Sequence, residues 1–243
     1  MISVIICSKN SERYISECID SVLGQTYQDI EVLVVVNDSS DRTLDILKTY
    51  DDERLIVFET KIGQLNYNLN FALDRCRGDI IARMDADDIC SPFRLERQLF
   101  YMNDYDVVGS NLELIDEYGE VYGGNLVFPE HDAAIRRKIY YRSVLAHPSI
   151  MIRKEVLMSV SGYMGGRYAQ DYDLWLRLMR NSQLKFYNIQ ENLVFYRVHH
   201  EQSKGSSSSY ADVSGYLLRE SLLSKRADYF IGALIYYIKG LFK

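Results

Sequence analysis

Residues 78–98 read GDIIARMDADDICSPFRLERQ. The run from Asp79 to Met84 predicts a short buried strand, and three carboxylates, Asp85, Asp87 and Asp88, follow it at once. Ser91-Pro92 then predicts the start of a helix with Leu95 and Leu99 turned inward, proline suiting a first helical position. A buried strand, an acidic loop and a helix make one βα unit.

Upstream, the same alternation repeats. Residues 2–7 (ISVIIC), 31–36 (EVLVVV) and 55–58 predict three further strands. Ile15, Cys18, Ile19, Val22 and Leu23 fall on one helical face that stops at Gly24. Leu44, Leu47 and Tyr50 mark a helix with Ser40 as its N-cap, and Leu65, Leu69, Ala72, Leu73 and Cys76 mark one closed by Gly78. Near-continuous apolar strands alternating with helices predict an α/β fold whose central sheet is mostly parallel and covered on both faces. Ligands of such sheets sit beyond the carboxyl ends of the strands, which is where the acidic triplet lies.

Downstream the pattern is less regular. Residues 105–110 and 112–115 predict two strands, 116–119 a turn, 133–140 and 170–182 helices, and 193–198 a late strand. Gly205 to Ser209 (GSSSS) predicts a mobile linker, and residues 225–243 an amphipathic C-terminal helix.

In an extended segment residues i and i+2 point the same way, so Asp85 and Asp87 are expected to converge. Oxygen ligands of this kind suit Mg²⁺ or Mn²⁺ bridging protein and diphosphate. The bland alternative is that the three acids cap a helix and solvate a turn.

At this point the sequence resembles a family. Residues 78–98 resemble the DxD region of the family 2 glycosyltransferases, which have the GT-A fold. Residues 2–10 resemble the family's first strand, with Cys7 where proline or threonine is more usual. Residues 31–47 resemble its nucleoside-binding strand and helix, and residues 147–180 its acceptor and catalytic segment. Tyr196-Arg197-Val198-His199, followed by Gln202-Ser203, resembles its late motif. The likeness covers roughly residues 1–204 and implies a catalytic domain of that extent, with a nucleotide-sugar half (1–104) and an acceptor half (105–204), ahead of the linker and helix of 205–243.

The resemblance implies roles. Asp87 binds the metal, Asp85 holds the ribose or a metal-bound water, and His199 completes the metal site or touches the diphosphate. Cys7, Ser8, Asn37 and Asp38 contact the nucleoside. Asn37 can both accept from and donate to a base edge, although the family often has Asp-Asp-Gly there; an Asx-turn at Asn37 and Asp38 is compatible with that role. Asp171, in QDYDLW, is the catalytic base, with Gln170 replacing the family's glutamate. Asp173 reads as a first-turn acid favouring the helix dipole. The implied activity is metal-dependent, inverting transfer from a nucleotide sugar, expected to be a UDP-sugar, to a glycan or lipid-linked acceptor in cell-surface polysaccharide or glycolipid synthesis. A nucleotidyltransferase of similar fold would want a glycine-rich loop after the first strand, and Ser8-Lys9-Asn10-Ser11 has none. A non-catalytic nucleotide-sugar binding module would not need the acids and His199 together.

The bulk properties agree. The 243 residues carry a net charge of -6, which disfavours a broad nucleic-acid footprint. Cys7, Cys18, Cys76 and Cys90 have no zinc spacing and read as free thiols in a reducing compartment. No basic leader precedes Ile2, and no apolar run reaches the ~20 residues that span a bilayer. The expected location is cytoplasmic. For the C-terminal helix, peripheral membrane contact, a homodimer interface and docking on its own domain all remain open.

Overall fold

A computed structural model describes residues 1–200 and 206–242. β1 (Ile2–Ser8), α1 (Ile15–Leu23), β2 (Ile30–Asn37), α2 (Thr43–Leu47), β3 (Leu55–Thr60), α3 (Leu65–Leu73) and β4 (Ile80–Asp85) alternate as expected. β5 (Ile89–Cys90), α4 (Arg94–Tyr101), β6 (Val107–Ile115), β7 (Val121–Leu126) and α5 (Asp132–Lys138) follow. A 3-10 turn at His147–Ser149 leads to β8 (Met151–Arg153), α6 (Lys154–Ser159), α7 (Gln170–Met179) and β9 (Phe186–Arg197). α8 (Ser207–Ser224) and α9 (Ala227–Leu241) complete the described chain.

One sheet runs β3-β2-β1-β4-β8-β6-β9-β5, with β7 beside β6. Its first four strands are all parallel. β8 enters antiparallel between β4 and β6, and β6 runs parallel to β9. Side chains of the parallel strands alternate between two cores. Ile5, Leu33, Val35 and Ile81 pack in one layer with Leu69, Leu73 and Trp175. Val4, Ile6, Val34 and Met84 pack in the other with Ile15, Ile19 and Leu95. Burial on both faces is why these strands read as unbroken apolar runs rather than alternating ones.

Several local expectations give way to tertiary contacts. Ser40 is not an N-cap: its backbone N–H donates to Asn10 Oδ1 at 2.9 Å, while Asp41 Oδ1 accepts from the N–H of Thr43 at the start of α2. The Asn10 bond, with Asp41 Oδ2 accepting from the N–H of Glu12 at 2.9 Å, laces the loop after β1 to the loop after β2. α3 ends at Leu73, so Gly78 does not close it. A Cβ at Gly78 would lie 2.8 Å from the carbonyl of Met1, so glycine is there for close approach to β1. Pro92 lies just ahead of α4 rather than within its first turn.

The strands expected at 105–110 and 112–115 are one strand, β6, with register shifts against β9 near Asn111. The late strand extends back to Phe186, its first residues hidden by the polar Asn188 and Gln190. The expected linker is largely helical. Gly205 lies outside the described residues, but Ser206 caps α8, accepting from the N–H of Ser209, and Ser207 to Ser209 form its first turn. The C-terminal helix is therefore the second arm of an α8–α9 hairpin.

Candidate active site

The chain turns sharply after β4. The N–H of Asp88 lies 3.4 Å from the carbonyl of Asp85, closing a turn over residues 85–88. The extended geometry expected for Asp85 and Asp87 is therefore replaced by this turn, which folds a third carboxylate in. Ligand oxygens of Asp85, Asp87 and Asp88 all lie within 4.8 Å of one another. The side chains of Asp85 and Asp87 are 31% and 25% exposed, whereas Asp88 is fully buried.

Each acid is held differently. Asp85 accepts from the buried guanidinium of Arg83 on the same strand. Asp87 Oδ2 lies 2.9 Å from Nε2 of His199. Asp88 Oδ1 accepts from the N–H of Arg197 at 2.9 Å, while its Oδ2 is buried without a hydrogen-bond partner. Burial, reinforced by the charges of Asp85 and Asp87, drives the Asp88 carboxyl well above the ordinary range. Three carboxylates this close, one with an orphaned oxygen, fit a divalent cation by donor chemistry and spacing.

Arg197 fixes the turn from the far end of β9. Its Nε donates to the carbonyl of Asp87 at 2.7 Å, and its remaining nitrogens reach the carbonyls of Asp116 and Glu117 and the carboxylate of Glu17. Its guanidinium also covers the ring of Tyr14, which lies 5.2 Å from the ring of His199. Gln202 and Ser203, which follow His199 in the late motif, lie outside the described residues.

Asp171 enters at the first turn of α7, after Ala169 in a left-handed conformation with φ 50°. Burial raises its carboxyl, backbone N–H groups oppose the rise, and the charge of Asp85 adds to it. Tyr196 links the two groups of acids. Burial raises its phenol, followed by the charges of Asp85, Asp88, Asp87 and Asp171. The charges that raise this phenol thus come both from the triplet and from Asp171. Asp173 lies in the first turn of α7, as expected of a dipole-favouring acid, and is in addition wholly buried and ion-paired to Arg177 at 2.7 Å and Arg219 at 2.6 Å.

The residues expected at the nucleoside end cluster at the carboxyl edges of β1 and β2. Cys7 pairs in register with Asp85 across β1 and β4, and burial pushes its thiol up to about 12. Ser8 Oγ and Asn37 Oδ1 are both buried without partners. Such atoms are costly to leave unpaired, and a bound polar ligand is one way to satisfy them. Asp38 is exposed, left-handed at φ 45°, and 3.6 Å from Lys9 Nζ. All four cysteines are free thiols.

Sequence reasoning gave no role to Arg83, Asp88, Tyr163 or His147. Arg83 is buried with Nε and one terminal nitrogen unpaired; burial lowers its proton affinity, but Asp85 and Cys7 outweigh that and raise it. His147 Nε2 lies 3.2 Å from the Tyr163 hydroxyl, and burial with the Arg83 charge keeps the imidazole neutral. The signal for Arg83 was available: a charged residue inside an otherwise apolar strand wants a buried partner.

Comparisons with known proteins bear on the family and the fold. The family model described as Glycosyl transferase family 2 matches residues 3–161. The chain is 37% identical over 251 residues to WbnJ of Escherichia coli, an O-antigen biosynthesis glycosyltransferase, covering 100% of this chain and 97% of the relative. The fold resembles that of S. aureus TarS 1–349, solved with UDP-GlcNAc, at a TM-score of 0.74 and 21% identity over 91% of this chain and 66% of that one. It also resembles the mannosyltransferase PcManGT from Pyrobaculum calidifontis, solved with GDP-Man and Mn²⁺, at a TM-score of 0.63 and 17% identity over 99% and 72% of the two chains.

Proposed function

This chain belongs to glycosyl transferase family 2, and on that premise we propose that it moves a sugar from a UDP-sugar to an acceptor hydroxyl by a single inverting displacement. The proposed setting is assembly of a bacterial surface polysaccharide or glycolipid on the cytoplasmic side of the membrane; the 37%-identical relative is named for O-antigen biosynthesis. The observation that carries the reading is the cluster of Asp85, Asp87 and Asp88 at the carboxyl end of β4, whose ligand oxygens all lie within 4.8 Å of one another.

Ser8 and Asn37 bind the nucleoside: the unpaired Asn37 Oδ1 is an acceptor suited to the imide N–H of uracil. Cys7, neutral and half-buried, packs beside the base, and Asp38 closes the loop over it. Mn²⁺ or Mg²⁺ held by Asp87 with Asp85 and His199 would supply Lewis-acid neutralisation of the leaving diphosphate. Arg197 holds the carbonyl of Asp87 and so fixes the turn that presents these ligands. Asp171, with its raised carboxyl, takes the proton from the acceptor hydroxyl as that oxygen displaces the nucleotide at the anomeric carbon. Gln170 beside it is uncharged, so the acceptor meets one carboxylate there rather than two.

The deciding experiment incubates the full chain with Mn²⁺ and a panel of nucleotide sugars and follows nucleoside diphosphate release, with and without lipid-linked glycan. Metal-dependent UDP release is the expected result. Pyrophosphate release from a parallel incubation with nucleoside triphosphate and sugar 1-phosphate would point to nucleotidyl transfer, and binding with no turnover for any donor and acceptor would leave a binding module.

A further inference from the structure

Among the described residues, no helix is long and apolar enough to cross a membrane. α9 is nevertheless apolar on two opposite faces. Tyr229, Gly232, Ala233 and Tyr236 face the domain, where Tyr236 meets the ring of Tyr172 and a Cβ at Gly232 would lie 2.5 Å from the carbonyl of Tyr140. The outward face carries Phe230, Ile231, Leu234, Tyr237, Ile238 and Leu241, each between 45% and 64% exposed. Their spacing places all six on one stripe with no charge among them. Leu218, Leu222 and Leu223 on the other arm of the hairpin are also exposed. A soluble surface rarely leaves so much contiguous apolar area bare.

The charge around this stripe indicates what covers it. The chain is acidic overall, at -6, yet residues 225–243 hold Lys225, Arg226, Lys239 and Lys243 against the single acid Asp228. Arg137, Arg142, Lys225 and Lys239 are exposed and pair with no carboxylate among the described residues. Arg142 and Lys239 flank the same edge, the Nζ of Lys239 donating to the carbonyl of Tyr141 at 3.0 Å. A cleft of about 290 Å³ between α5 and the start of α9 is lined by Arg136, Arg137, Arg226, Asp228 and Tyr229, with Arg226 paired to Asp228 and Arg136 to Asp132. An apolar stripe bordered by uncompensated cations complements an anionic lipid surface. A second copy of the chain would bring the same cations together instead, at a cost.

We propose that the outward face of α9 docks on an anionic phospholipid membrane, with the basic border reading the headgroups. The hairpin is continuous with the active-site wall. Tyr216 Oη accepts from the N–H of Gly166, Asp212 Oδ2 accepts from the N–H of Tyr168, and Arg219 pairs with Asp173 on the helix that carries Asp171. Docking would therefore hold the acceptor end of the site against the lipid surface. The docking itself does not depend on the proposed sugar transfer.

The test is flotation of the full chain with vesicles of phosphatidylglycerol and phosphatidylethanolamine, against vesicles of phosphatidylcholine alone. The chain should float with the anionic vesicles only and be released by salt. The variant Ile231→Ser, Leu234→Ser, Ile238→Ser and the variant Arg137→Glu, Arg142→Glu, Lys239→Glu should each lose about tenfold or more in partitioning. Both should keep their circular dichroism and their metal-dependent donor hydrolysis in free solution, which reads the active site alone. Failure of the parent chain to float, or unchanged flotation of both variants, would overturn the proposal. So would a doubled mass in solution that the triple serine variant abolishes while the parent ignores lipid.

Discussion

His199 Nε2 lies 2.9 Å from Asp87 Oδ2, although 112 residues separate them in the chain. The contact joins the turn after β4 to the residues after β9, where Arg197 at the end of that strand donates from its side chain to the carbonyl of Asp87 and from its backbone N–H to the carboxylate of Asp88. The acid turn is thus held by the second half of the molecule. For Asp87→Ala we expect loss of metal-dependent nucleotide binding, with the fold retained because Asp87 is partly exposed. Calorimetric titration of UDP with and without Mn²⁺ measures this; equal affinity in both conditions for parent and variant would remove Asp87 from the metal site.

Asp171→Asn should lower transfer by about 10²–10⁴-fold, the usual contribution of a positioned base, while nucleotide affinity stays near that of the parent. Single-turnover assays and titration separate the two quantities. Parental turnover in this variant would assign the proton to another group.

The same raised carboxyl fixes two pH dependences. With Asp171 as the proposed base, activity requires it ionised, so the acid limb of kcat/KM should fall at a pH above the ordinary aspartate value. For stability the sign is opposite to that of a salt-bridged acid. A folded pKa above the unfolded one means the folded state binds the extra proton, so the group's contribution is most favourable below the unfolded pKa and declines as pH rises through the folded one. Asp171→Asn should therefore raise the melting temperature at neutral pH in metal-free buffer. A lower melting temperature there would show the carboxylate to be stabilising.

Ser8→Ala and Asn37→Ala remove buried polar groups that have an unpaired atom in this structure. Both should leave thermal stability unchanged or slightly improved and weaken nucleotide binding, because in the proposed site those atoms find their partners on the nucleoside. Reduced stability with full nucleotide affinity would make them ordinary core residues.

Arg197→Ala leaves the carbonyls of Asp87, Asp116 and Glu117 without their buried donor. Stability should drop by about 3–5 kcal/mol, in the range for breaking a buried charged network, and metal affinity should fall with it. Urea unfolding measures the first and Mn²⁺ titration the second.

The sequence alone determined the parallel half of the sheet. β1, β2 and β4 are buried on both faces, so hydrophobic runs and helical stripes mark them to within a residue or so at each end, and short-range order places Asp85 and Asp87 at a strand end. The family motifs then named Asp171 and His199. The tertiary structure decided what depends on contacts far apart in the chain. Asp88 joins the cluster because the loop turns rather than extends, and its burial comes from Arg197. Asp173 reads locally as a helix-dipole acid, yet it is buried because Arg219, on a helix that begins in a polar serine run, reaches over it. β8 and the first half of β9 are short or interrupted by polar residues such as Asn188, whose side chain donates to the carbonyls of Pro129 and Val144. Local pattern records which face of an element is apolar. It does not record which distant polar group will satisfy a buried one, and in this protein that pairing builds half of the site.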